Sequence, residues 1–369
     1  MKVVLLSGGS SIHTVRWANG LLAAGHELHV ITQHPVVEPF AQGVVLHLLP
    51  YRGILGYFLM VPAVRKLLRD IRPDIVNAHY ASGYGTTARL VNHRPWLLSV
   101  WGSDVYDFPH KSPLHKWLVK KNLQAACRVA STSHCMADET RQLIPCLADI
   151  AITPFGVNLT AYAGIKPEPA VQKSKLNIGT VKAMKPIYGI DTLIEAFALL
   201  QKSLQFKQGP AAPEIELRLV GGGEQTPELH ALAARLGIAD KVNFVGHVPH
   251  AQVPQELAKL DIYVALSRTE SFGVAIIEAG AAGRPVVVSD AGGLPEVTVD
   301  GVTGFVVPRE NPAAAAAAME RLVLDAELRN QMGQAGQAHV AQHYSWDACV
   351  QTMLSVYQET IQRHSLQQT

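Results

Sequence analysis

The sequence predicts an α/β protein built from two doubly wound domains, each a parallel sheet with helices on both faces. The chain has 369 residues, which is long for one such domain and sufficient for two. Hydrophobic residues make up 48% of the chain and charged residues 17%, a composition that allows large buried cores and argues against disorder. Short apolar runs alternate with helical patterns throughout, which is typical of parallel strands joined by helices.

The predicted strands form two series, separated by a loose stretch at 162–174 that contains glycine, prolines and lysines. The first series is 2–7, 27–32, 44–48, 74–77, 97–100, 128–131 and 150–153. The second is 177–180, 216–220, 242–245, 262–265, 285–289 and 304–307. Helical patterns between strands include 14–24 and 56–69, and the segment 345–363 resembles an amphipathic helix. We therefore expect an N-terminal domain at 1–165, a C-terminal domain at 172–345, and a final helix at 346–369 that packs back towards the N-terminal domain.

Composition and charge exclude several classes of function. The first apolar run is too short for a signal peptide, and the most apolar later stretch contains Pro62 and cannot span a bilayer. The four cysteines lack CxxC spacing, as expected of reduced thiols in a cytoplasmic protein. No cluster of metal-ligand type and no nucleic-acid-binding motif is present. Residues 1–160 hold 15 Lys and Arg against 9 Asp and Glu, a balance that favours an anionic partner such as a membrane surface or a phosphorylated lipid.

Two carboxylates, Glu270 and Glu278, stand eight residues apart where a strand turns into a helix at about Gly273. The amides of Ser271, Phe272 and Gly273 between them occupy the position at which a helix start binds anions. A carboxylate on each side of an anion site suits a diphosphate flanked by hydroxyl-rich groups, as in a nucleotide sugar. Glu270 would then accept hydrogen bonds from the sugar and Glu278 from the ribose. The alternative is two solvated glutamates near a helix start.

Together with the residues that follow it, this pattern resembles the sequence signature of a known protein family. The passage from Ser267 through 280–285 to 290–296 resembles the donor signature of family 4 retaining glycosyltransferases, whose two Rossmann-like domains face each other across a cleft in the GT-B fold. Further landmarks of that family match in order at 77–80, 189–197, 220–224 and 244–248. The resemblance covers nearly the whole chain. It implies a nucleotide-sugar donor (a UDP- or GDP-sugar), no cofactor and no required metal, and assigns contact with the nucleobase to Gly246, His247 and Val248.

The cation expected to bind the donor diphosphate departs from the family pattern. The available residues are Lys182 and Lys185, and neither has the spacing that the family usually shows. A fixed cation there would stabilise the charge that develops on the leaving diphosphate. Lys182 is favoured because it lies nearer the strand end, and the alternative is two solvated lysines on a loop.

Several residues of the N-terminal half are candidates for contact with sugar or phosphate. Gly8 and Gly9 form a turn between a strand and a helix, where the backbone can approach a ligand closely. Their sequence is not GxGxxG, which counts against a nicotinamide dinucleotide. His13 follows in the same turn and is either a polar contact or a structural histidine.

The loop after the strand at 97–100 differs from the family at one position. Many family members carry a histidine that contacts the transferred sugar, and the aligned residue here is Trp101. Asp104 is a candidate for orienting a sugar hydroxyl or the acceptor nucleophile, with a helix cap as the alternative. His79, at another strand end, is the second polar candidate, with a structural histidine as the alternative. In the family mechanism the leaving phosphate oxygen can accept the acceptor's proton, so a strong base need not appear.

Two segments, 51–72 and 110–121, combine apolar, aromatic and basic residues and are candidates for peripheral membrane contact beside the acceptor. An ordinary surface helix is the alternative. The resemblance implies a hexosyltransferase that uses a saccharide or lipid-linked acceptor in surface polysaccharide or glycolipid synthesis. The expected location is the cytoplasm, with contact at the inner face of the plasma membrane. A sugar-nucleotide epimerase of similar shape and a catalytically silent nucleotide-sugar-binding subunit are the other hypotheses.

Overall fold

The computed structural model describes residues 1–147, 149–166, 171 and 173–366. The chain divides into two compact units, Met1–Phe155 with Trp346–Thr369, and Gly156–Ser345. This division lies before the loose stretch at 162–174, of which 167–170 and 172 are outside the described residues. Val157 forms a β-bridge with Ser345, and the buried Arg284 binds the carbonyl of Lys166. These contacts hold the segment 156–166 to the second unit. The second unit therefore begins earlier in the chain than the sequence suggested.

The first unit contains a parallel sheet of seven strands in the order β3-β2-β1-β4-β5-β6-β7, counted over the described residues. The strands are β1 Lys2–Leu6, β2 Glu27–Thr32, β3 Val45–Leu48, β4 Ile75–His79, β5 Trp96–Val100, β6 Arg128–Ser131 and β7 Ile150–Ile152. Its helices are α1 Ile12–Ala23, α2 Gly53–Leu59, α3 Val61–Ile71, α4 Gly83–Val91, α5 Ser103–Tyr106, α6 Pro113–Ala125 and α7 His134–Leu143. All seven predicted strands are confirmed, with ends that shift by one or two residues.

The helix predicted at 56–69 is wrong as a single element. The structure has two helices there, α2 and α3, with Met60 as the C-terminal cap of the first and the N-terminal cap of the second. Pro62 lies in the first turn of α3. Proline lacks a backbone N–H and is tolerated in a first turn but not inside a helix, so the chain begins a new helix at this point.

The second unit repeats the architecture with six parallel strands in the order β10-β9-β8-β11-β12-β13, again counted over the described residues. The strands are β8 Lys175–Val181, β9 Glu214–Val220, β10 Val242–Gly246, β11 Ile262–Ala265, β12 Val286–Ser289 and β13 Gly304–Val307. Its helices are α8 Ile190–Gln208, α9 Thr226–Arg235, α10 Val253–Ala258, α11 Val274–Ala281, α12 Leu294–Val297, α13 Pro312–Leu324 and α14 Ala326–His343. The six predicted strands are confirmed.

The last helix, α15 (Trp346–Leu366), belongs to the first unit. Trp346 packs edge-on against Trp17 of α1, with ring centroids 5.0 Å apart. In the same helix, the hydroxyl of the buried Tyr357 accepts a hydrogen bond of 2.8 Å from the side chain of Asn77 in β4. A buried phenol paired with an amide specifies the position of this helix on the sheet, because either group left unpaired would cost about 1–3 kcal/mol.

Each sheet has one place where the strand order reverses. In the first sheet β2 and β4 lie on opposite sides of β1, and in the second sheet β9 and β11 lie on opposite sides of β8. In open parallel sheets, ligands bind beyond the carboxyl ends of the strands at such a switch point. The loops after β1 and β4, and those after β8 and β11, are therefore the places to look for sites.

Candidate functional site

At the switch point of the second sheet, the first residue after β8 meets the loop after β11. Lys182 Nζ lies 2.5 Å from Glu270 Oε2, and each side chain is only 13% exposed. The Lys182 ammonium also lies 4.4 Å from the ring centroid of Tyr188. Burial is the largest single effect and acts to lower the pKa of Lys182, but the charge and hydrogen bond of Glu270, together with Tyr263 and Tyr188, outweigh it and raise the pKa. The site therefore holds a charged lysine paired with a carboxylate.

A glycine turn after β9 supports the backbone of Lys182. The amide of Lys182 donates to the carbonyl of Val220 at 2.9 Å. Gly221 has φ +135°, and a Cβ atom added to it would lie 1.9 Å from the carbonyl oxygen of Lys182. Only glycine fits there, so this turn serves to bring β9 against the lysine segment.

The loop that carries Glu270 is held by the segment 290–296. The amide of Gly293 donates to the carbonyl of Glu270 at 3.0 Å, and a Cβ atom on Gly293 would lie 2.6 Å from Cα of Phe272. The Phe272 side chain is buried, and Gly273 is the N-terminal cap residue of α11. Ser271, Phe272 and Gly273 thus immediately precede the first turn of α11, as the sequence predicts.

Arg268 joins the two sides of this site, and sequence reasoning missed its role. Its guanidinium contacts Asp191 through two nitrogens, at 3.0 and 2.8 Å, and Glu310 at 3.0 Å. Its amide donates to the carbonyl of Ile187 at 2.8 Å. The hydrogen bonds that Arg268 donates to Asp191 raise the pKa of Arg268 beyond its already high value. These contacts fix the loop after β11 to the turn that carries Tyr188.

Glu278, the second predicted carboxylate, is buried in α11 and faces a histidine. Its Oε1 lies 3.1 Å from Nε2 of His250, whose side chain is 43% exposed. His250 is two residues beyond Val248, so it was close to the predicted nucleobase segment without being singled out. In that segment His247 is exposed, Val248 is half-buried, and the carbonyl of Gly246 accepts a 2.8 Å hydrogen bond from Gly221.

Lys185, the other candidate cation, is exposed, and its ammonium has no ion pair within the described part of the chain. Of the two lysines it is therefore Lys182 that the fold brings to Glu270.

At the switch point of the first sheet the structure forms a cavity of about 490 Å³. It is lined by residues that follow β1, β2 and β4 and by one residue of α2: Gly8, Ser10, Ser11, His34, Tyr57, Tyr80, Ser82, Gly83 and Tyr84. None of these described lining residues is Lys, Arg, Asp or Glu. The cavity therefore presents hydroxyl groups and aromatic rings rather than charges.

Tyr84 organises the wall of this cavity. Its hydroxyl lies 2.7 Å from Nδ1 of His34 and accepts a 3.1 Å hydrogen bond from the amide of Gln33. Burial raises the pKa of Tyr84 to about 12, so the phenol stays neutral. Tyr57 packs edge-on against it, with ring centroids 5.2 Å apart. Tyr80 adopts a left-handed backbone with φ +69°, a strained conformation for a tyrosine and one that concentrates at functional sites.

The two predicted glycines of this unit have different environments. Gly8 lines the cavity, and its predicted contact with the donor stays a prediction. The amide of Gly9, however, donates to Thr32 Oγ1 at 2.9 Å, and a Cβ atom there would lie 3.1 Å from the carbonyl of His34. Gly9 therefore permits close packing of the turn, and its N–H is already bonded within the protein.

His79 and Trp101 belong to a buried aromatic cluster. His79 is 1% exposed, and its Nδ1 lies 2.8 Å from Ser7 Oγ. Its ring centroid is 4.1 Å from that of Trp101, and His13 stacks on Phe155 at 4.1 Å. Burial lowers the pKa of His79 to about 3, so it is neutral at ordinary pH. This environment matches the structural alternative for His79, and its contact with substrate stays a prediction.

Asp104 is also 1% exposed and is bonded to the backbone of two loops. Its carboxylate accepts hydrogen bonds from the amides of Ala81 at 2.7 Å, Trp101 at 3.1 Å and Gly102 at 2.9 Å. Burial raises its pKa in spite of these bonds. The carboxylate fixes the loops after β4 and β5 to each other, which is a positioning role, and its predicted contact with substrate is untested.

Over the residues that the structure describes, no group of three or more His, Cys, Asp or Glu side chains is arranged to hold a metal ion. A separate search of the same residues finds no helix with the length and hydropathy of a bilayer span.

Comparison with protein families gives two matches that together extend over most of the chain. Residues 2–133 match the family described as glycosyl transferase 4-like. Residues 164–339 match the family described as glycosyl transferases group 1, and this region includes Lys182, Glu270 and Glu278.

Individual relatives agree with these family matches. The chain is 28% identical to a D-inositol 3-phosphate glycosyltransferase of Streptomyces avermitilis, over 97% of this chain and 84% of the relative. In fold it is similar to sucrose-phosphate synthase from Thermosynechococcus elongatus, with a TM-score of 0.80 at 20% identity over 97% of this chain and 98% of the other. It is also similar to HepE of Anabaena in complex with UDP-glucose, with a TM-score of 0.74 at 20% identity over 97% and 100% of the two chains. With two sheets wound as described and both halves matched, the chain belongs to the group 1 glycosyltransferases of family 4, and its fold is GT-B.

Proposed function

We propose that this glycosyltransferase is a retaining, metal-independent hexosyltransferase. It takes a sugar from a nucleoside-diphosphate sugar, a UDP- or GDP-sugar, and transfers it to a saccharide or lipid-linked acceptor in surface polysaccharide or glycolipid synthesis. The observation that carries the proposal is the Lys182–Glu270 pair at the switch point of the second sheet, with Glu278 in the helix that follows. The complex of HepE with UDP-glucose supports a donor of this class.

The donor diphosphate binds where Lys182 now contacts Glu270. A diphosphate carries more negative charge than one carboxylate, so it competes for the lysine ammonium and releases Glu270 to accept hydrogen bonds from the sugar. As the glycosidic bond breaks, negative charge grows on the leaving phosphate, and a fixed lysine stabilises it most in the transition state. Glu278 binds the ribose, and His250 beside it is a further candidate contact on the nucleoside side.

The proposed reaction requires little proton transfer by protein side chains. His79 is buried and neutral, and Asp104 is bonded to three backbone amides, so neither is arranged as an exposed general base. The leaving phosphate oxygen accepts the proton of the acceptor hydroxyl on the face that it departs from, which retains the anomeric configuration. The lysine supplies the positive charge that a metal ion would otherwise supply. Full activity in EDTA tests this point, and a loss that Mg²⁺ restores would contradict it.

The neutral cavity of the first unit is the proposed acceptor site. Its serine and tyrosine hydroxyls suit the hydroxyl groups of a sugar, and its aromatic rings suit the apolar face of a sugar ring. Since no charged side chain is among its described lining residues, an uncharged polyhydroxylated group fits it better than a phosphate does.

Two helices of the first unit carry the proposed membrane contact. In α2 the apolar side chains of Ile54, Leu55, Phe58 and Leu59 are exposed, with Ile54 77% exposed. In α6 Leu114 is 68% and Trp117 50% exposed, so these two residues are not the core stripe of an ordinary surface helix. Helix α4 packs against both α2 and α6. Exposed apolar residues with lysines and arginines nearby are typical of helices that lie in a membrane interface, here proposed as the inner face of the plasma membrane.

The proposed donor site is tested by steady-state kinetics of two variants. Glu278→Ala should raise the donor KM about tenfold with little change in kcat, because a ribose contact contributes equally in the ground and transition states. Glu270→Ala should lower kcat as well, because that carboxylate binds the reacting sugar. Wild-type kinetics in both variants would contradict the donor assignment.

The same assay separates the competing functions. The protein is mixed with radiolabelled UDP- and GDP-sugars and a lipid-linked or saccharide acceptor. Transfer with an unchanged anomeric configuration, observed by NMR, supports the proposal. Isomerisation of the donor would indicate an epimerase, and binding without turnover would indicate a silent subunit.

The membrane contact is tested by co-sedimentation with vesicles that contain an anionic phospholipid. The double variant Ile54→Ser with Leu55→Ser should bind the vesicles at least tenfold more weakly, because two aliphatic side chains inserted into the bilayer contribute several kcal/mol to binding. The control is Phe206→Ser in α8, which removes a side chain that is 91% exposed in the second unit. Equal vesicle binding by the wild type and the α2 variant would refute a contact through α2.

A further inference from the structure

The first unit has a second cavity, of about 690 Å³, between the ends of α3 and α4. Both helices end with a non-glycine residue in the left-handed region, Arg72 at φ +52° and Asn92 at φ +56°. The strands that follow these helices, β4 and β5, begin just after the cavity. It therefore lies at the amino edge of the sheet, whereas the proposed acceptor cavity lies at the carboxyl edge.

The lining of this cavity is strongly basic. Arg65, Arg69 and Arg72 are spaced so that all three share one side of α3 and its cap, and His93 faces them from the end of α4. No Asp or Glu is among the described lining residues. Like charges one turn apart on a helix repel by about 0.2–0.5 kcal/mol per pair, so an arginine stripe without acids is unfavourable unless an anion offsets it.

The donors of the cavity are only partly used within the protein. Arg65 is fixed because it donates to the carbonyls of Leu90 and Val91. Arg69 and Arg72 make no ion pair or side-chain hydrogen bond with any other described residue. Nε2 of His93 is buried and has no hydrogen-bond partner in the same set of residues. An unprotonated Nε2 accepts a hydrogen bond from a phosphate hydroxyl, and a protonated one donates to a phosphate oxygen, so the ring can pair with a phosphate in either state.

We infer that the cavity formed by Arg65, Arg69, Arg72 and His93 is a second anion site, which binds a phosphate group carried on a larger molecule. Guanidinium groups recognise phosphate by paired, charge-assisted hydrogen bonds. The cavity is larger than a phosphate ion, and Leu68 and Val91 form an apolar part of its lining for the group that carries the phosphate. The site is independent of the donor site, which lies in the other unit. A phosphorylated small molecule and the head of an anionic phospholipid share the required chemistry.

The test compares three forms of the full-length protein. The first is the wild type, and the second carries Arg69→Gln with Arg72→Gln. The third carries Lys202→Gln with Arg235→Gln, which removes the same charge from two exposed residues of the second unit, outside the cavity and outside the proposed membrane contact. Inorganic phosphate is titrated by calorimetry at constant ionic strength, and vesicles of phosphatidylcholine with and without phosphatidylglycerol are used for co-sedimentation. Thermal unfolding of each variant establishes that it is folded.

The Arg69 and Arg72 double variant should lose at least tenfold in affinity for one of these probes, and the control variant should stay within twofold of the wild type. Phosphate bound at Lys182 is common to all three proteins, so the difference between the variants isolates the cavity. Loss in the phosphate titration identifies a soluble phosphorylated ligand, and loss only with phosphatidylglycerol vesicles identifies a lipid head group. Equal binding by all three proteins, or no binding of either probe by the wild type, overturns the inference.

Discussion

The two switch points of this molecule are built alike but have different chemistry. In each sheet the strand order reverses at the first strand of the unit, β1 or β8. The loop after that strand therefore comes close to the loop after β4 in the first unit and after β11 in the second. In the first unit these loops bring serines and tyrosines around an open cavity. In the second they bring Lys182 against Glu270, with Arg268 fixing the surrounding loops. The fold thus determines where the loops meet, and the few residues after the strands determine the chemistry of each switch point.

The two switch points differ most in the role of their charged side chains. In the first unit the buried carboxylate of Asp104 is bonded to backbone amides and holds two loops together. In the second unit the charged side chains face each other, so a ligand of higher charge can exchange with one of them. We therefore expect a neutral ligand at the first switch point and an anionic ligand at the second.

The largest expected effect tests the charged switch point. Lys182→Ala should lower kcat by roughly 10²–10³-fold, the usual cost of removing one group that stabilises developing charge in a transition state. Lys185→Ala is the matched control, since it removes an exposed lysine three residues away and should change kcat by less than about threefold. Steady-state kinetics with saturating donor and acceptor measure both. A greater loss for the control would assign the diphosphate to Lys185 and reverse the comparison.

A smaller effect is expected at the neutral switch point. Tyr57→Ala removes one aromatic wall of the cavity and should raise the acceptor KM about tenfold, equivalent to about 1.4 kcal/mol of binding. The donor KM should stay within twofold, because the side chain belongs to the first unit. Kinetics with each substrate varied in turn measure the two constants. A rise in the donor KM alone would show that the cavity does not bind the acceptor.

The smallest effect concerns stability rather than activity. The folded pKa of His79 is about 3, below its unfolded value of 6.5, so only the unfolded chain takes up this proton as the pH falls from 6.5 towards 3. The contribution of His79 to stability is therefore complete above pH 6.5 and is lost on acidification, at up to about 1.4 kcal/mol per pH unit.

Urea unfolding at pH 7.5 and pH 5.5 measures this contribution. The wild type should lose about 1 kcal/mol more than His79→Gln between the two pH values. His110→Gln, at an exposed position, is the control and should behave as the wild type. An identical loss in the wild type and His79→Gln would mean that His79 titrates in the folded protein, and would restore it as a candidate acid or base.

The fold was predictable because buried parallel strands are continuous apolar runs, and each predicted run is a strand in the structure. The pairing of Lys182 with Glu270 could also be predicted from the sequence, since both residues follow strands that the doubly wound topology places side by side. The partners of Arg268 and Glu278 were not predictable, because Asp191 lies in the first turn of α8 and His250 in the turn beyond β10, positions that the strand order does not determine.

The predictions for His79 and Asp104 show a different limit. A polar residue at the carboxyl end of a parallel strand faces either a ligand or a neighbouring loop, and the sequence pattern is the same in both cases. Burial and the hydrogen bonds of Asp104 to Ala81, Trp101 and Gly102 distinguish the two cases only once the loops are placed. The break between α2 and α3 was missed for a related reason, since a proline ends a helix or begins one depending on its neighbours.

The contact between Lys182 and Glu270 also has a consequence for selectivity. A free monosaccharide cannot compete for the ammonium, so it meets a site whose positive and negative groups are already satisfied. In the proposed mechanism, a molecule that brings its own diphosphate separates them and exposes the carboxylate that binds the sugar. The proposed donor site therefore excludes neutral sugars that lack a diphosphate, before any bond is broken.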